Sequence, residues 1–173
     1  DNGLRLPPRI APIQVVIVPV RGTPEVQEFV QSLIPMLEKV GIRVYFDTRD
    51  NESLGFKINK WELKGVPVRL EIGPKELADR SITVVRRDTF EKTKLALKDI
   101  AHGTQRILED IQYNLYDQAQ SFLKENTHEA KDYEQFKEIM ATTRGFIKAP
   151  WCEQAECEAT VKAETKATTR CLL

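Results

Sequence analysis

The residues with the most chemical promise lie in the run Trp61-Glu62-Leu63-Lys64-Gly65-Val66-Pro67-Val68-Arg69-Leu70-Glu71-Ile72-Gly73-Pro74. It reads as the end of a helix, a tight turn, then a strand. Leu63, Val66, Val68, Leu70 and Ile72 can serve a core. Glu62, Arg69 and Glu71 are then left to face something else. A carboxylate and a guanidinium held together on a rigid helix–strand unit can hydrogen-bond the edge of a purine, where donors and acceptors lie side by side. That chemistry reads a base; it does not make or break a bond.

Bond-making signatures are sparse. Neither common glycine-rich phosphate loop occurs. His102 and His128 fall in a helical region with no nucleophile or second ligand at a suggestive spacing, as ordinary surface histidines do. The acidic pair Glu109-Asp110 suits a solvated helix face. The three cysteines, Cys152, Cys157 and Cys171, form an odd set with no signal peptide, which argues against a disulfide framework. Cys-x4-Cys supplies half of a tetrahedral zinc site; it also fits reduced thiols near a helix end.

Strands and helices must position these groups. Val15 to Val18 is a continuous apolar run stopped by Pro19, as in a strand buried on both faces. Thr23 caps a helix that opens with Pro24, and Glu25 and Glu28 favour that end. Val26, Phe29, Val30, Leu33, Leu37 and Val40 recur every three or four residues as one apolar face. Pro35 should kink this helix and Gly41 should end it. Ile42 to Phe46 is the next strand, so the unit implies a parallel pair with a right-handed crossover. A helix over 55–64 precedes the strand 68–72, whose alternation predicts one open face. Gly73-Pro74 turns the chain, 82–85 is a further strand, and 86–93 reads as a loop. A mostly helical stretch covers 96–130, with a break expected at His102-Gly103. A short helix over 133–140, strand-like 145–151 and helical 152–166 follow.

A chain of 173 residues, 41% hydrophobic and 30% charged, suits one domain plus an appendage or two small domains, and can bury a core. No apolar run approaches the roughly 20 residues of a membrane span. The first residue is Asp1 rather than Met, and Asn2-Gly3 reads as mid-chain loop, so a fragment is expected. The net charge of zero hides an asymmetry: residues 39–98 carry +5, residues 99–173 carry −4 and residues 1–38 carry −1. The middle third is therefore the side for a polyanion. A surplus of five argues against tight non-specific nucleic-acid binding, which needs many phosphate contacts.

Several collinear runs resemble the C-terminal part of prolyl-tRNA synthetases of the archaeal and eukaryotic type, which some bacteria share. Gly3 to Pro19 looks like the junction between that family's catalytic and anticodon-binding domains. Lys60-Trp61-Glu62-Leu63-Lys64-Gly65-Val66-Pro67 resembles its anticodon-reading helix and turn. Gly145-Phe146, Ala149-Pro150-Trp151-Cys152 and Glu156-Cys157-Glu158 resemble the start of its zinc-type domain, and Ala167-Thr168-Thr169-Arg170-Cys171 a later run of it.

The resemblance implies an α/β fold, a mixed and mainly parallel sheet flanked by helices as in class IIa anticodon-binding domains, followed by a smaller α+β C-terminal domain. It divides the chain into a linker at 1–8, an anticodon-binding domain at 9–110 and a partial zinc-type domain at 111–173. It implies the tRNA-reading part of a cytoplasmic class II proline–tRNA ligase, a homodimer that uses ATP and Mg on a catalytic domain absent from this sequence. The chain alone would then bind no cofactor and catalyse nothing. Its partner would be the anticodon loop of proline tRNA. Proline codons begin with two cytosines, so the anticodon carries guanines at its second and third positions. Guanine shows donors on its pairing edge and acceptors on the other, and RNA loops can splay such bases out. By resemblance, Glu62 accepts from the donors and Lys92, within one residue of alignment, donates to the acceptors. Arg69 stacks its guanidinium on a base, and Glu76 contacts a base or holds Arg69. Ile58 stands where relatives place a larger apolar residue. Cys152 and Cys157 match two zinc ligands, but the Cys-x-Cys or Cys-x-x-Cys pair that completes the family's site does not occur here, nor does its terminal tyrosine.

Two other classes remain open on sequence. One is a free-standing, synthetase-derived tRNA-binding or regulatory protein. The other is a small flavodoxin-like enzyme using the carboxyl edge of a parallel sheet, against which the missing phosphate loop speaks.

Overall fold

The computed structural model describes residues 3–170, so Cys171 lies outside the described residues. The chain divides into two compact units, Asp1–Tyr116 and Asp117–Leu173.

The first unit is built on a five-stranded sheet. Its strands are β1 (Val15–Pro19), β2 (Val44–Phe46), β3 (Val68–Ile72), β4 (Ser81–Arg86) and β5 (Lys92–Ala96), in the order β2-β1-β3-β4-β5. β1 pairs in parallel with both β2 and β3, while β4 is antiparallel to β3 and to β5. Four strands thus run one way and β4 runs the other, a mixed sheet of mainly parallel direction. Between them lie α1 (Pro24–Glu38), α2 (Leu54–Leu63) and α3 (Pro74–Ala78), and α4 (Ile100–Glu125) follows.

Local chemistry explains these helices. Thr23 caps α1 by accepting from Val26 N, with Pro24 in the first turn, and the helix continues through Pro35. Ser53 caps α2 by accepting from Phe56 N. At the far end of α2, Gly65 takes φ +71, Gly65 N donates to Glu62 O at 3.0 Å and Val66 N donates to Trp61 O at 3.3 Å. This paired closure satisfies carbonyls that the helix end would orphan, and it needs a residue tolerant of positive φ.

The sheet has two covered faces. On one, Val15, Ile17, Val68, Leu70, Ile72, Ile82 and Val84 pack against Val26, Val30, Leu33 and Leu37 of α1 and Ile100, Leu108 and Ile111 of α4. Burying each such side chain stabilises by roughly 1.5–3 kcal/mol, so this layer holds the unit together. On the other face Val16 and Val18 pack against Trp61 of α2 and Val66.

The structure corrects several expectations. The alternating face of β3 is less open than expected: Arg69 is buried and bonded to Glu62 of α2 and to Glu71, which is half-buried. Leu63 belongs to no core and is 62% exposed. Gly73-Pro74 does not merely turn the chain. It starts α3, where Glu76 returns a hydrogen bond from Gly73 N at 3.1 Å. Residues 92–96 form strand β5, so Lys92 opens a strand and is not a loop residue. α4 runs through Gly103 unbroken, because a Cβ there would meet the Leu95 methyls at 2.7 Å; the missing side chain makes room for packing. α4 ends at Glu125, short of 130.

The second unit continues with β6 (Thr127–Glu129), α5 (Tyr133–Ala141), β7 (Phe146–Lys148) and α6 (Ala155–Thr165). β6 and β7 form a two-stranded parallel sheet, and Asp132 caps α5 by accepting from Gln135 N at 2.9 Å. That pairing draws Thr127–Glu129 out of the helical pattern.

Candidate nucleic-acid interface

Residues paired across a sheet share a face. Arg69 lies opposite Val16 on β1 and Val85 on β4, Glu71 lies opposite Thr83, and Val85 and Thr83 lie opposite Lys92 and Lys94 on β5. One face therefore collects Arg69, Glu71, Thr83, Lys92 and Lys94, and the C-terminal turn of α2 brings Glu62 to its border.

These charges form a chain of contacts. Arg69 Nη1 donates to Glu62 Oε1 at 2.8 Å and its Nε donates to Glu71 Oε1 at 3.0 Å. Lys92 Nζ donates to Glu71 Oε2 at 3.4 Å. Arg69 is 8% exposed as a residue, whereas the Lys92 side chain is 59% exposed. The buried guanidinium thus acts as a clamp between two carboxylates. Among the described residues, Glu62 Oε2 has no hydrogen-bond partner, and a carboxylate with one oxygen engaged keeps most of its acceptor sites.

The expected site residues fall as follows. Glu62, Arg69 and Lys92 are brought together through Glu71. Ile58 is half-buried on α2, one turn before Glu62. Glu76 does not hold Arg69; its oxygens accept from Thr83 Oγ1 at 3.2 Å and from Gly73 N. Cys152 and Cys157 belong to the second unit, and both are exposed.

Sequence reasoning left out the groups that brace the site. Arg87 is buried, and its Nε donates to the Glu62 carbonyl at 3.2 Å. Burial, together with the nearby Arg5 and Arg69 charges, lowers its pKa against the pull of Glu62. Buried Asp88 accepts from Arg86 at 3.0 and 2.7 Å and from Asn114 Nδ2 at 2.6 Å. Burial pushes its carboxyl up, but the Arg86 and Asn114 hydrogen bonds outweigh it and hold the pKa below its usual value. Asp47, fully buried after β2, accepts from Trp61 Nε1 at 2.7 Å and from Arg49. Burial works against its charge too, yet those bonds hold its carboxyl at about 2. Trp61 is therefore a locked core residue beside Glu62. The signal for these braces was the cluster Arg86-Arg87-Asp88 in a short hairpin, where charges near a core need partners.

The comparisons with known proteins fit this geometry. A family model described as anticodon binding domain matches residues 14–106. The chain belongs to the anticodon-binding domain family. Residues 133–173 match a second model, described as prolyl-tRNA synthetase, C-terminal. Among similar proteins are proline–tRNA ligase 2 of Clostridioides difficile, 43% identical, and the proline–tRNA ligase of Alkaliphilus oremlandii, 44% identical. A third is the proline–tRNA ligase of Rubrobacter xylanophilus, also 43% identical. Each alignment covers 99% of this chain, but only 36%, 36% and 37% of those relatives, so the chain spans about a third of their length.

This anticodon-binding domain holds no helix, among the described residues, long and apolar enough to cross a membrane. In the second unit the Cys157 thiol and Gln154 N–H hydrogen-bond to Cys152 and lower its pKa, while the same contact raises that of Cys157. No group of three or more His, Cys, Asp or Glu side chains that could hold a metal occurs among the described residues. Two thiols are half of a structural zinc set, so these residues do not fit the metal by themselves.

Proposed function

We propose that this chain is the anticodon-reading end of a proline–tRNA ligase and selects proline tRNA by its two anticodon guanines. The clamp of Arg69 on Glu62 carries this reading. It holds a carboxylate at the border of a rigid face with acceptor sites to spare, which suits the N1–H and N2–H donors of guanine. Lys92, exposed and tethered to Glu71 by a long contact, can swing to the O6 and N7 acceptors. Arg69 is too enclosed to offer a whole plane to a base, so its role here is to position Glu62. Ile58 borders the same turn of α2 as an apolar wall. Glu76 fixes Thr83 and the start of α3, and so acts at one remove.

The reading carries with it a parent enzyme that joins proline to tRNA with ATP, acts in the cytoplasm and works as a homodimer. The similarity to three proline–tRNA ligases along 99% of this chain supports it. Binding of the chain to a proline anticodon stem-loop, and to stem-loops with either guanine replaced, tests it. The expected result is a loss of about 1–3 kcal/mol for each replacement, the scale of a good base contact. Equal affinity for all three RNAs would sink the reading.

A further inference from the structure

We propose that Phe90 is a stacking platform for a nucleobase adjacent to the one read at Glu62, a role that rests on the anticodon reading above. Phe90 sits in the loop between β4 and β5. Its backbone has φ +61, a conformation that bulky side chains rarely adopt. The loop holds it there: Phe90 N donates to Arg86 O at 3.1 Å, Arg86 N donates to Glu91 O at 3.0 Å, and Asp88 ties Arg86 to Asn114 of α4. The result is an aromatic ring displayed at 45% exposure on a fixed support.

The ring is also coupled to the site. The Arg87 guanidinium lies 4.9 Å from the Phe90 ring centroid, and Arg87 Nε reaches the Glu62 carbonyl. Arg87 therefore bridges the Phe90 ring to the backbone of Glu62, the residue whose carboxylate does the reading. The Arg87 cation lies over the ring, and Phe90 is still 45% exposed as a residue. A single-stranded RNA loop matches this surface best. Stacking on an aromatic ring accepts any base, because every base has a π-face, and residues 39–98 carry the chain's positive surplus. Phe90 would then add affinity without discrimination, while Glu62 supplies the discrimination. That division separates the two roles by experiment.

The test uses the full chain and proline anticodon stem-loops in which 2-aminopurine replaces, one at a time, the loop nucleotides other than the two guanines. Wild type is expected to quench the probe at one position flanking the guanines. Phe90→Asn, which tolerates positive φ without a ring, should lose that quenching and bind about tenfold more weakly. Its affinity ratio between native and guanine-replaced loops should stay at the wild-type value. Phe90→Tyr should restore both quenching and affinity. Wild-type quenching and affinity in Phe90→Asn would overturn the proposal, as would loss of the guanine ratio along with the affinity, since the ring would then only prop Arg87 and Glu62. A wild-type chain that ignores the guanines would overturn the anticodon reading, and this proposal with it.

Discussion

The Arg69 guanidinium on β3 grips the Glu62 carboxylate on α2 at 2.8 Å, across the only turn that joins the two elements. Helix and strand are thus fastened twice, by the chain at Gly65 and by the ion pair on the sheet face.

Glu62→Ala is expected to weaken binding of the proline anticodon stem-loop by about 1–3 kcal/mol and to flatten the preference for guanine. Fluorescence anisotropy with native and guanine-replaced loops measures both. An unchanged preference would remove Glu62 from the reading role.

Arg69→Met keeps the stem and deletes the charge, leaving Glu62 and Glu71 without their shared partner. Breaking a buried pair destabilises by about 3 kcal/mol or more, and the partial exposure of both carboxylates puts this case at the lower end. Urea unfolding should show that loss, and RNA affinity should fall with it because Glu62 is no longer held. Stability within error of wild type would show that the clamp contributes little.

Asp47 predicts a defined acid response. Its carboxyl is held at about 2 against an ordinary 3.8, so the unfolded chain takes up this proton before the folded chain does. The stability it contributes, roughly 2 kcal/mol, is fully present above about pH 4 and is lost as pH falls through about 2. Asp47→Asn should be less stable near neutrality and lack this component of acid sensitivity. Urea midpoints for both proteins at about pH 5 and about pH 2.5 decide the matter. Parallel losses in the two proteins would assign the acid response elsewhere.

Gly65→Ala should destabilise the first unit by about 1–2 kcal/mol. The residue has φ +71, and a Cβ would stand 2.9 Å from Leu4 Cγ and 3.0 Å from the Leu4 carbonyl carbon. Because Gly65 sets the angle between α2 and β3, RNA binding should suffer more than stability alone requires. Thermal denaturation and stem-loop binding of the same variant give the two readouts.

Much of the first unit was legible wherever a local rule and a core requirement agreed. Thr23-Pro24 opened α1 as expected, and Val15–Val18 formed a buried interior strand. β5 escaped because Lys92-Thr93-Lys94 has no apolar alternation: it is an edge strand whose charges keep other strands away. β6 escaped because its strand character comes from pairing with β7, about twenty residues further on. At the site, the residue types of Glu62 and Arg69 pointed to base reading. Their engagement with each other did not show, since it depends on a distance between helix and sheet that no spacing rule encodes. Arg87, Asp88 and Asp47 stayed hidden for the same reason: they look like loop charges until the core closes over them.

The chain of contacts from Lys92 through Glu71 and Arg69 to Glu62 alternates in sign at every step. A face built this way is its own first ligand. On the proposed reading, an incoming base takes up the acceptor sites left on Glu62 beside bonds already made, so near-cognate bases meet an ordered register instead of bare charge. On that reading selectivity comes from the geometry of these bonds rather than from net charge, whose long-range attraction salt screens.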